Sequence, residues 1–318
     1  MYDIGYDDVC VYSISHDCRV STGAAVAGTP TYFGPHKRIA QCPAPQHRRE
    51  DAMGYDNILF DRTDHVGWLT LNRPHRLNAL SPGLVDDLVD FFSRLKKDRQ
   101  TRIVILRGAG TSFCTGFDLS GGDGGESDVG PVEKAYGGMK TYCEIVVQMR
   151  RAPQPIIGAI RGNAVGAGFS LAVACDMRLA AESARFCARM VRLGMSAGDS
   201  GMTYFLPRLI GMAQASELLY TARWIDAHTA EKLGIVSRVV PDDQLDDAAL
   251  ELANEVLKNA PVALKMTKEL LNLTMDEPSL MAMIQVEARS QGLCAFTEDH
   301  QEAIASILEK RDAVWKDR

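Results

Sequence analysis

Two glycine-containing turns in this sequence have the composition of a site for a negatively charged oxygen. The first, GAGTSFCTGFDLS at residues 108–120, directly follows the apolar run RIVILR. The second, RGNAVGAGFSLAVACD at residues 161–176, directly follows PIIGAI. In each case a strand is expected to enter a turn of small residues and a helix to follow, which leaves backbone N–H groups unpaired beside the positive end of a helix dipole. If the two turns face each other, two amides can hold one oxyanion. The alternative is that both are tight packing turns.

A third motif, GMSAG at residues 194–198, matches the G-x-S-x-G pattern with Ser196 as the nucleophile. That pattern requires a strand immediately before the serine turn and a helix immediately after it. The preceding residues, ARMVRL, do not have the pattern of a strand. His228 and His300 lie downstream, so a catalytic triad is formally possible, but the missing strand leads us to reject it.

The elements that must position the two turns alternate between strand and helix. Apolar and polar residues alternate, or short apolar runs occur, at 57–61, 65–72, 102–107, 155–160, 176–180 and 235–240. Ser81 and Pro82 predict a helix start, with apolar residues at helical spacing after it: Leu84, Val85, Leu88, Phe91, Phe92 and Leu95. This alternation favours an α/β fold. After about residue 246 the pattern is purely helical, with helices predicted at 245–259, 261–273, 279–293 and 299–310.

Composition excludes several classes of protein. The chain has 318 residues and a mass of 34.8 kDa, with 46% hydrophobic and 24% charged residues, which is typical of a globular protein. Its 35 basic and 41 acidic residues give a formal charge of −6, so we expect no general affinity for nucleic acid or for a membrane surface. No apolar run approaches the roughly 20 residues of a transmembrane helix, and the first 50 residues lack a secretory pattern. We therefore expect a cytoplasmic protein.

The cysteines and histidines do not suggest a metal centre. None of the eight cysteines forms a C-x-x-C pair and their spacing is irregular, so we expect buried free thiols in a reducing compartment. None of the seven histidines clusters with carboxylates at metal-ligand spacing, so no metal site is predicted.

Several segments together resemble the enoyl-CoA hydratase/isomerase family, also called the crotonase family. The segments occur in the family's order between about residues 55 and 312: LTLNRPHRLNALS, FCTGFDLS, GNAVGAGFSLAVACD, LGMSAGDSG, LPRLIG, the later TAEKLGIVSRVV and FTEDHQEAIASILEKR. The resemblance implies a crotonase-like spiral of β-β-α units with a C-terminal helical trimerisation region. It also implies an acyl-CoA thioester as the ligand, no cofactor other than the coenzyme A of the substrate, and a homotrimer or hexamer.

The resemblance also assigns site residues. The family's two oxyanion amides fall on Phe117 and Ala167, where the backbone N–H acts and the side chain need not be polar. Ala167 stands where the family usually has glycine. By the same resemblance, residues 117–120, which include Asp118, Leu119 and Ser120, line the acyl-CoA channel. The segment GGDGGES at 121–127 is expected to be a mobile flap.

Two further residues lie where the family holds the nucleotide end of coenzyme A. They are Arg76 and Leu77. Arg76 could pair with a phosphate. Its alternative is an ordinary surface arginine.

The sequence departs from the family at the two glutamates that position water in the best-known hydratases. Ser170 stands at the first position, and Met190, preceded by Arg189 instead of proline, stands at the second. Neither side chain can act as a carboxylate base, so hydration by the two-glutamate route is in doubt.

One carboxylate remains near these positions. Asp199 lies where some isomerase-like members carry an acidic residue, and in an apolar pocket its pKa would be raised and it could shuttle a proton. The alternative is a helix cap, since a helix is predicted near Ser200. Asp118 is a second acidic candidate, but a turn or cap role is favoured for it.

We therefore predict an acyl-CoA-dependent enzyme that stabilises a thioester enolate with two amides and uses non-standard acid and base residues. Isomerisation of a double bond, or an atypical hydration through Asp199, is favoured. A catalytically weak acyl-CoA-binding or assembly subunit is the main alternative, and a thioester hydrolase or decarboxylase is the third.

We divide the chain into an irregular extension at 1–52, a core at 53–245 and a helical region at 246–318. Met53 is our preferred natural start, and an ordered arm before it is the alternative.

Overall fold

A computed structural model describes residues 54–120 and 130–318. All of them belong to one compact unit. The predictions for residues 1–52 and for the flap at 121–127 lie outside the described residues. The division of the rest at residue 245 stays a prediction.

Strands and helices alternate along the described residues. The strands are β1 (Ile58–Thr63), β2 (Val66–Leu71), β3 (Ile103–Gly108), β4 (Ile156–Ile160), β5 (Asn163–Val165), β6 (Met177–Ala181), β7 (Arg185–Cys187), β8 (Ile225–Asp226) and β9 (Arg238–Val240). The helices are α1 (Pro82–Leu95), α2 (Pro131–Arg151), α3 (Ala167–Ala174), α4 (Met202–Thr221), α5 (Ala227–Leu233), α6 (Leu245–Leu257), α7 (Pro261–Thr274), α8 (Leu280–Ala295) and α9 (Glu298–Glu309). The predicted α/β class and the four predicted C-terminal helices are therefore confirmed.

The larger sheet has the order β1-β2-β3-β4-β6-β9. Strands β1 and β2 pair antiparallel, and every later pair in this sheet is parallel. Because β3 and β4 are parallel neighbours, the turns that follow them leave from the same edge of the sheet. This topology is what brings the two glycine-containing turns together.

A smaller sheet, with the order β5-β7-β8, was not predicted. Its strands are only two or three residues long, too short to produce a recognisable alternation. Strand β5 lies inside the second glycine-containing turn and pairs in parallel with β7.

Helices cover both faces of the larger sheet. Along β3, Val104 and Leu106 join the core that contains the predicted apolar face of α1, while Ile103 and Ile105 pack with residues of α6. All six predicted apolar residues of α1 are buried, and the Ser81 hydroxyl accepts a hydrogen bond from the Leu84 amide at 3.3 Å. The two-residue period of β3 therefore separates two hydrophobic layers.

A buried charge cluster fixes the C-terminal helices to this core. The Lys268 ammonium group on α7 is 2.8 Å from Asp176 Oδ2 and donates to the Met149 and Gln154 carbonyl oxygens. Burial lowers the pKa of Lys268, and the nearby Asp176 carboxylate opposes that shift. Arg150 also pairs with Asp176, at 2.9 Å, so the carboxylate joins α2 to α7.

Five cysteines lie in the part of the chain that the structure describes, and all five are free thiols. Three are buried, as predicted, and two are half-buried: Cys114, Cys175 and Cys187, and then Cys143 and Cys294. Among the described helices, none has both the length and the apolarity to cross a bilayer.

Candidate active site

The first turn holds the amide of Phe117 in a fixed direction. Leu80 donates its amide to the Gly116 carbonyl oxygen at 2.7 Å, and its own carbonyl oxygen accepts from the Asp118 amide at 3.0 Å. In a trans peptide the C=O and the following N–H point in opposite directions. Because the Gly116 carbonyl points toward Leu80, the Phe117 N–H points away from it. Within the described residues, no protein acceptor is hydrogen-bonded to that N–H group.

The second turn orients the amide of Ala167 by the same rule. Gly166 precedes α3 with φ of 53°, and its carbonyl oxygen accepts from the Ser170 amide at 3.0 Å in the first turn of the helix. The N–H of Ala167 therefore points out of the N-terminal end of α3. It also forms no hydrogen bond to another described residue.

The two turns are in direct contact. The Cys114 amide donates to the Asn163 carbonyl at 3.0 Å, and the Val165 amide donates to the Cys114 carbonyl at 3.0 Å. Gly116 has φ of +87°, and a Cβ atom added to it would lie 2.7 Å from the Val165 carbonyl oxygen and 3.3 Å from the Ala167 nitrogen. Only glycine permits this approach, which places the peptide before Phe117 beside the Ala167 amide.

Phe117 and Ala167 line one cavity of about 130 Å³, together with the backbone of both turns. Apolar side chains from the segment after β7 complete most of the wall: Met190, Leu193 and Met195. Arg189 and Leu119 also contribute, and Leu119 is strongly exposed. Both residues whose amides are unbonded therefore line the same cavity, and most of its wall is apolar.

Ser170 and Met190, which the resemblance placed at the two glutamate positions, carry no carboxylate. Ser170 is fully buried on α3 and donates its hydroxyl proton to the Asp199 carbonyl oxygen at 2.9 Å. Met190 is buried, its thioether lies against Gly166, and it lines the cavity.

Asp199 lies close to the second turn but does not line the cavity with the two amides. Its carbonyl oxygen is bonded to Ser170, which is one helical turn from Ala167 along α3. The whole residue is 3% exposed, and its Oδ2 atom is buried with no hydrogen-bond partner among the described residues. Burial raises the pKa of Asp199, and the hydrogen bond from Ser200 opposes that shift.

Helix α4 begins at Met202 with Gly201 as its cap, and no side chain caps it. The Asp199 side chain therefore does not cap this helix, and the helix-cap alternative is wrong. The unpartnered carboxylate oxygen keeps the proton-transfer interpretation open.

Asp118 is turned away from the cavity, into an ion pair. Its Oδ2 atom is 2.9 Å from Arg73 Nη2, and its Oδ1 atom accepts from the Ser120 amide and hydroxyl at 3.1 and 2.6 Å. Burial alone would raise the pKa of Asp118, but the bonds from Ser120 and Arg73 hold the pKa below its usual value. This is the turn role that the sequence favoured for Asp118.

Arg73 is a site residue that the sequence analysis missed. Its guanidinium group donates to the Ala79 carbonyl oxygen as well as to Asp118, so it joins the segment before α1 to the residue after Phe117. Asn78 supports the same segment by donating to the Ala109 and Ser112 carbonyl oxygens at 2.9 and 2.8 Å. Both residues lie in the quoted LTLNRPHRLNALS motif. The signal in the sequence was the presence of polar residues between a predicted strand and a predicted helix.

An Arg73→Met variant is expected to lower the free energy of unfolding by about 3 kcal/mol, because it leaves the Asp118 carboxylate buried without its cation. The matched control is Arg94→Met, which removes an exposed pair of similar length, 2.8 Å to Asp90, and should cost less than about 1 kcal/mol. Urea denaturation measures both. Equal losses in the two variants would contradict a buried, supporting role for Arg73.

Arg76 and Leu77 lie at the surface, at the end of a short 3-10 turn formed by Pro74–Arg76. The Leu77 carbonyl oxygen accepts from the Thr115 hydroxyl at 3.3 Å, so this turn borders the first glycine-containing turn. Neither residue lines the cavity of the two amides.

The helix predicted after the first turn stays a prediction, because residues 121–129, which directly follow that turn, lie outside the described residues. Residues 109–120 contain no helix, and the next described helix begins at Pro131. The predicted lack of a strand before Ser196 is confirmed, since a 3-10 turn at Arg189–Leu193 precedes it.

Comparison with known proteins gives one consistent family. A family model described as enoyl-CoA hydratase/isomerase matches residues 61–318. Among curated proteins, a probable enoyl-CoA hydratase of Mycobacterium tuberculosis is 35% identical over 260 residues, which covers 79% of this chain and 90% of that protein. A short-chain-enoyl-CoA hydratase of Clostridium acetobutylicum is 33% identical over 260 residues, which covers 81% of this chain and 97% of that protein.

Solved structures with the same fold include relatives named for two different reactions. An enoyl-CoA hydratase from Bacillus anthracis is 35% identical, with a TM-score of 0.78 over 83% of this chain and all of that one. A monofunctional enoyl-CoA isomerase from Mycobacterium smegmatis is also 35% identical, with a TM-score of 0.62 over 72% of this chain and 98% of that one.

Proposed function

The chain belongs to the enoyl-CoA hydratase/isomerase family, and we propose that it binds the thioester oxygen of an acyl-CoA between the amides of Phe117 and Ala167. The observation that carries this proposal is the pair of unbonded N–H groups at the wall of one cavity. When a proton leaves the α-carbon, negative charge develops on the thioester oxygen, and two fixed donors stabilise it more than the neutral carbonyl.

The reaction favoured by the remaining groups is migration of a carbon–carbon double bond. Ser170 and Met190 hold no water-activating carboxylate. Asp199 has a buried Oδ2 atom with no partner among the described residues, and its carbonyl oxygen is bonded to Ser170, one helical turn from the second amide. In this proposal the Asp199 carboxylate takes a proton from the α-carbon of a 3-enoyl-CoA, and the electron pair forms the enolate. The same carboxyl group then returns a proton to the γ-carbon, which gives the 2-enoyl-CoA.

Asp199 must approach the bound acyl group for this step, since it does not line the amide cavity. An atypical hydration through Asp199 uses the same groups and is the second outcome of the test below. A binding or assembly subunit without turnover is the alternative from another class, and the absence of both glutamates favours it.

Turnover assays on short, medium and long 2-enoyl-CoA and 3-enoyl-CoA thioesters separate these functions. We expect 3-enoyl-CoA to be converted to 2-enoyl-CoA faster than any 2-enoyl-CoA is hydrated. Faster hydration would contradict isomerisation. Tight binding of every thioester with turnover of none would contradict the enzyme and support the binding subunit.

The rest of the proposal concerns the ligand and the assembly. Leu119 lines the cavity and is proposed to contact the acyl portion. Arg76, Leu77 and Ser120 do not line the cavity and are proposed to contact the coenzyme A or acyl portion outside it; Asp118 supports this region through Arg73. No cofactor beyond the coenzyme A of the substrate is proposed.

We further propose the crotonase-like spiral, a cytoplasmic location and a homotrimer or hexamer. Exposed apolar side chains on the C-terminal helices support self-association: Leu280, Met281, Leu293, Ile307 and Leu308.

A further inference from the structure

Ser200 connects the buried carboxyl group of Asp199 to a second cavity. The Ser200 hydroxyl donates to Asp199 Oδ1 at 2.9 Å and lies 4.0 Å from the Cys143 thiol. Ser200 and Cys143 both line a cavity of about 400 Å³ between α2, the start of α4 and the end of α7. Arg151 and Asp276 line the same cavity and are exposed, so it opens to solvent.

The two oxygens of the Asp199 carboxyl group have different surroundings. Oδ1 is bonded to Ser200, and Oδ2 has no hydrogen-bond partner in the described part of the chain. The group is almost inaccessible to solvent and is absent from the wall of the amide cavity. Within residues 54–120 and 130–318, the hydrogen bond to Ser200 is therefore the one hydrogen bond that links this carboxyl group to a cavity open to solvent.

We propose that Ser200 is a positioning residue that carries protons between Asp199 and water in this second cavity. The inference rests on the proposed function and adds a path for proton exchange through a cavity other than that of the two amides. The sequence marks Ser200 only as a residue near the start of a helix.

The α-carbon loses its proton to Oδ2 of Asp199, and the electron pair of the broken C–H bond enters the enolate. Rotation of the carboxyl group brings the protonated oxygen to Ser200, and no other hydrogen bond in the described residues opposes that rotation. The Ser200 oxygen accepts this proton and passes its own proton to water. The reverse path returns a solvent proton to the carboxyl group before the γ-carbon is protonated.

The backbone at Ser200 allows a clean test. Its φ is +44°, in the left-handed region, and Gly201 follows with φ of +82°. A residue with a Cβ atom is strained in that region and glycine is not. Ser200→Gly therefore removes the hydroxyl group while relieving strain, and Ser200→Ala removes it while keeping the strain. The control is Cys143→Ala, which alters the same cavity and leaves the hydroxyl group in place.

The experiment is a single turnover of a 3-enoyl-CoA in D₂O, with deuterium at the γ-carbon of the product measured by mass spectrometry. The wild type and Cys143→Ala are expected to give mainly deuterated product. In Ser200→Gly and Ser200→Ala the ratio of deuterium to protium should fall at least fivefold, because the abstracted proton returns before it exchanges. A merely structural role would slow turnover without changing this ratio.

Equal ratios in all four proteins would overturn the relay, and so would wild-type product that carries almost only protium. In either case conversion still occurs and the proposed isomerisation survives. No conversion of 3-enoyl-CoA by the wild type would overturn the proposed function and the relay with it, so the two failures are distinguishable. Ser200→Gly relieves the backbone strain and Ser200→Ala keeps it. A change in the ratio that both variants share is therefore due to the missing hydroxyl group and not to misfolding.

Discussion

An Asp199→Asn variant is expected to lose turnover by roughly 10²–10⁴-fold, the usual contribution of a positioned general acid or base. The amide of asparagine has the shape of the carboxyl group but cannot accept the α-proton. Binding of a saturated acyl-CoA should stay within a few-fold, because the two amides of Phe117 and Ala167 are untouched. Steady-state kinetics and isothermal titration calorimetry measure the two effects separately.

The matched control is Asp276→Asn. Asp276 is exposed at the mouth of the second cavity, where it accepts from the Tyr204 hydroxyl at 2.7 Å. Its replacement should leave kcat unchanged. Turnover of Asp199→Asn at the wild-type rate would refute the assignment of Asp199.

The pH dependence of the wild type provides a second readout of Asp199. Burial raises the pKa of this carboxyl group above the ordinary aspartate value of 3.8, and the group must be ionised to accept a proton. The logarithm of kcat/KM should therefore fall as the pH decreases through the raised pKa, with a midpoint above the ordinary aspartate value. An acid limb centred at or below 3.8 would contradict this role.

The stability of Asp199→Asn has a predictable sign. Since the folded-state pKa is raised, the folded protein binds the proton more tightly than the unfolded chain does. The stabilising contribution of that proton is complete below the unfolded-state pKa and is lost as the pH rises through the folded-state pKa. At pH 7 the buried carboxylate makes the folded protein less stable than a neutral group at this position would. Asp199→Asn is therefore not expected to lower the melting temperature. Loss of activity with an intact melting temperature separates chemistry from misfolding.

Replacement of the alanine at position 167 by lactic acid is expected to lower kcat by roughly 10²–10³-fold, or about 3–4 kcal/mol of transition-state stabilisation. The change turns one backbone amide into an ester, which deletes the N–H donor and adds no atom to the cavity. The Ala167 N–H has no acceptor among the described residues, so its loss should leave the fold unchanged. In vitro translation with a hydroxy-acid tRNA provides the protein for kinetics.

The same ester replacement at position 172 is the control. That residue is alanine, lies in the same helix and is fully buried, but does not border the amide cavity. It should reduce stability slightly and leave kcat within a few-fold. Equal kcat values for the two esters would contradict a role for the Ala167 amide in catalysis.

The sequence predicted the elements that carry the site because each has a clear local pattern. β3 and β4 lie in short, mostly apolar runs, and the capped start of α1 is followed by apolar residues at helical spacing. Parallel pairing of β3 and β4 then places both turns at one sheet edge. The pairing of β3 with β4 belongs to the tertiary structure and cannot be predicted from the local sequence of either strand.

The contacts that orient the site could not be predicted for the same reason. The direction of the Phe117 amide depends on a pairing with Leu80, 37 positions earlier in the chain. The ion pair of Arg73 with Asp118 joins residues that are 45 positions apart. The sequence identified Asp199 as acidic and near a helix start, but only the packing of α3 against its carbonyl oxygen shows how close it lies to the second turn.

The central claim is that two backbone amides meet on one thioester oxygen. A crystal structure of the protein with an acyl-CoA enolate analogue tests it most directly. We predict that the analogue oxygen lies about 2.7–3.1 Å from the nitrogen atoms of both Phe117 and Ala167, with the α-carbon facing Asp199. An oxygen bound by one of these amides alone, or by neither, would contradict the account.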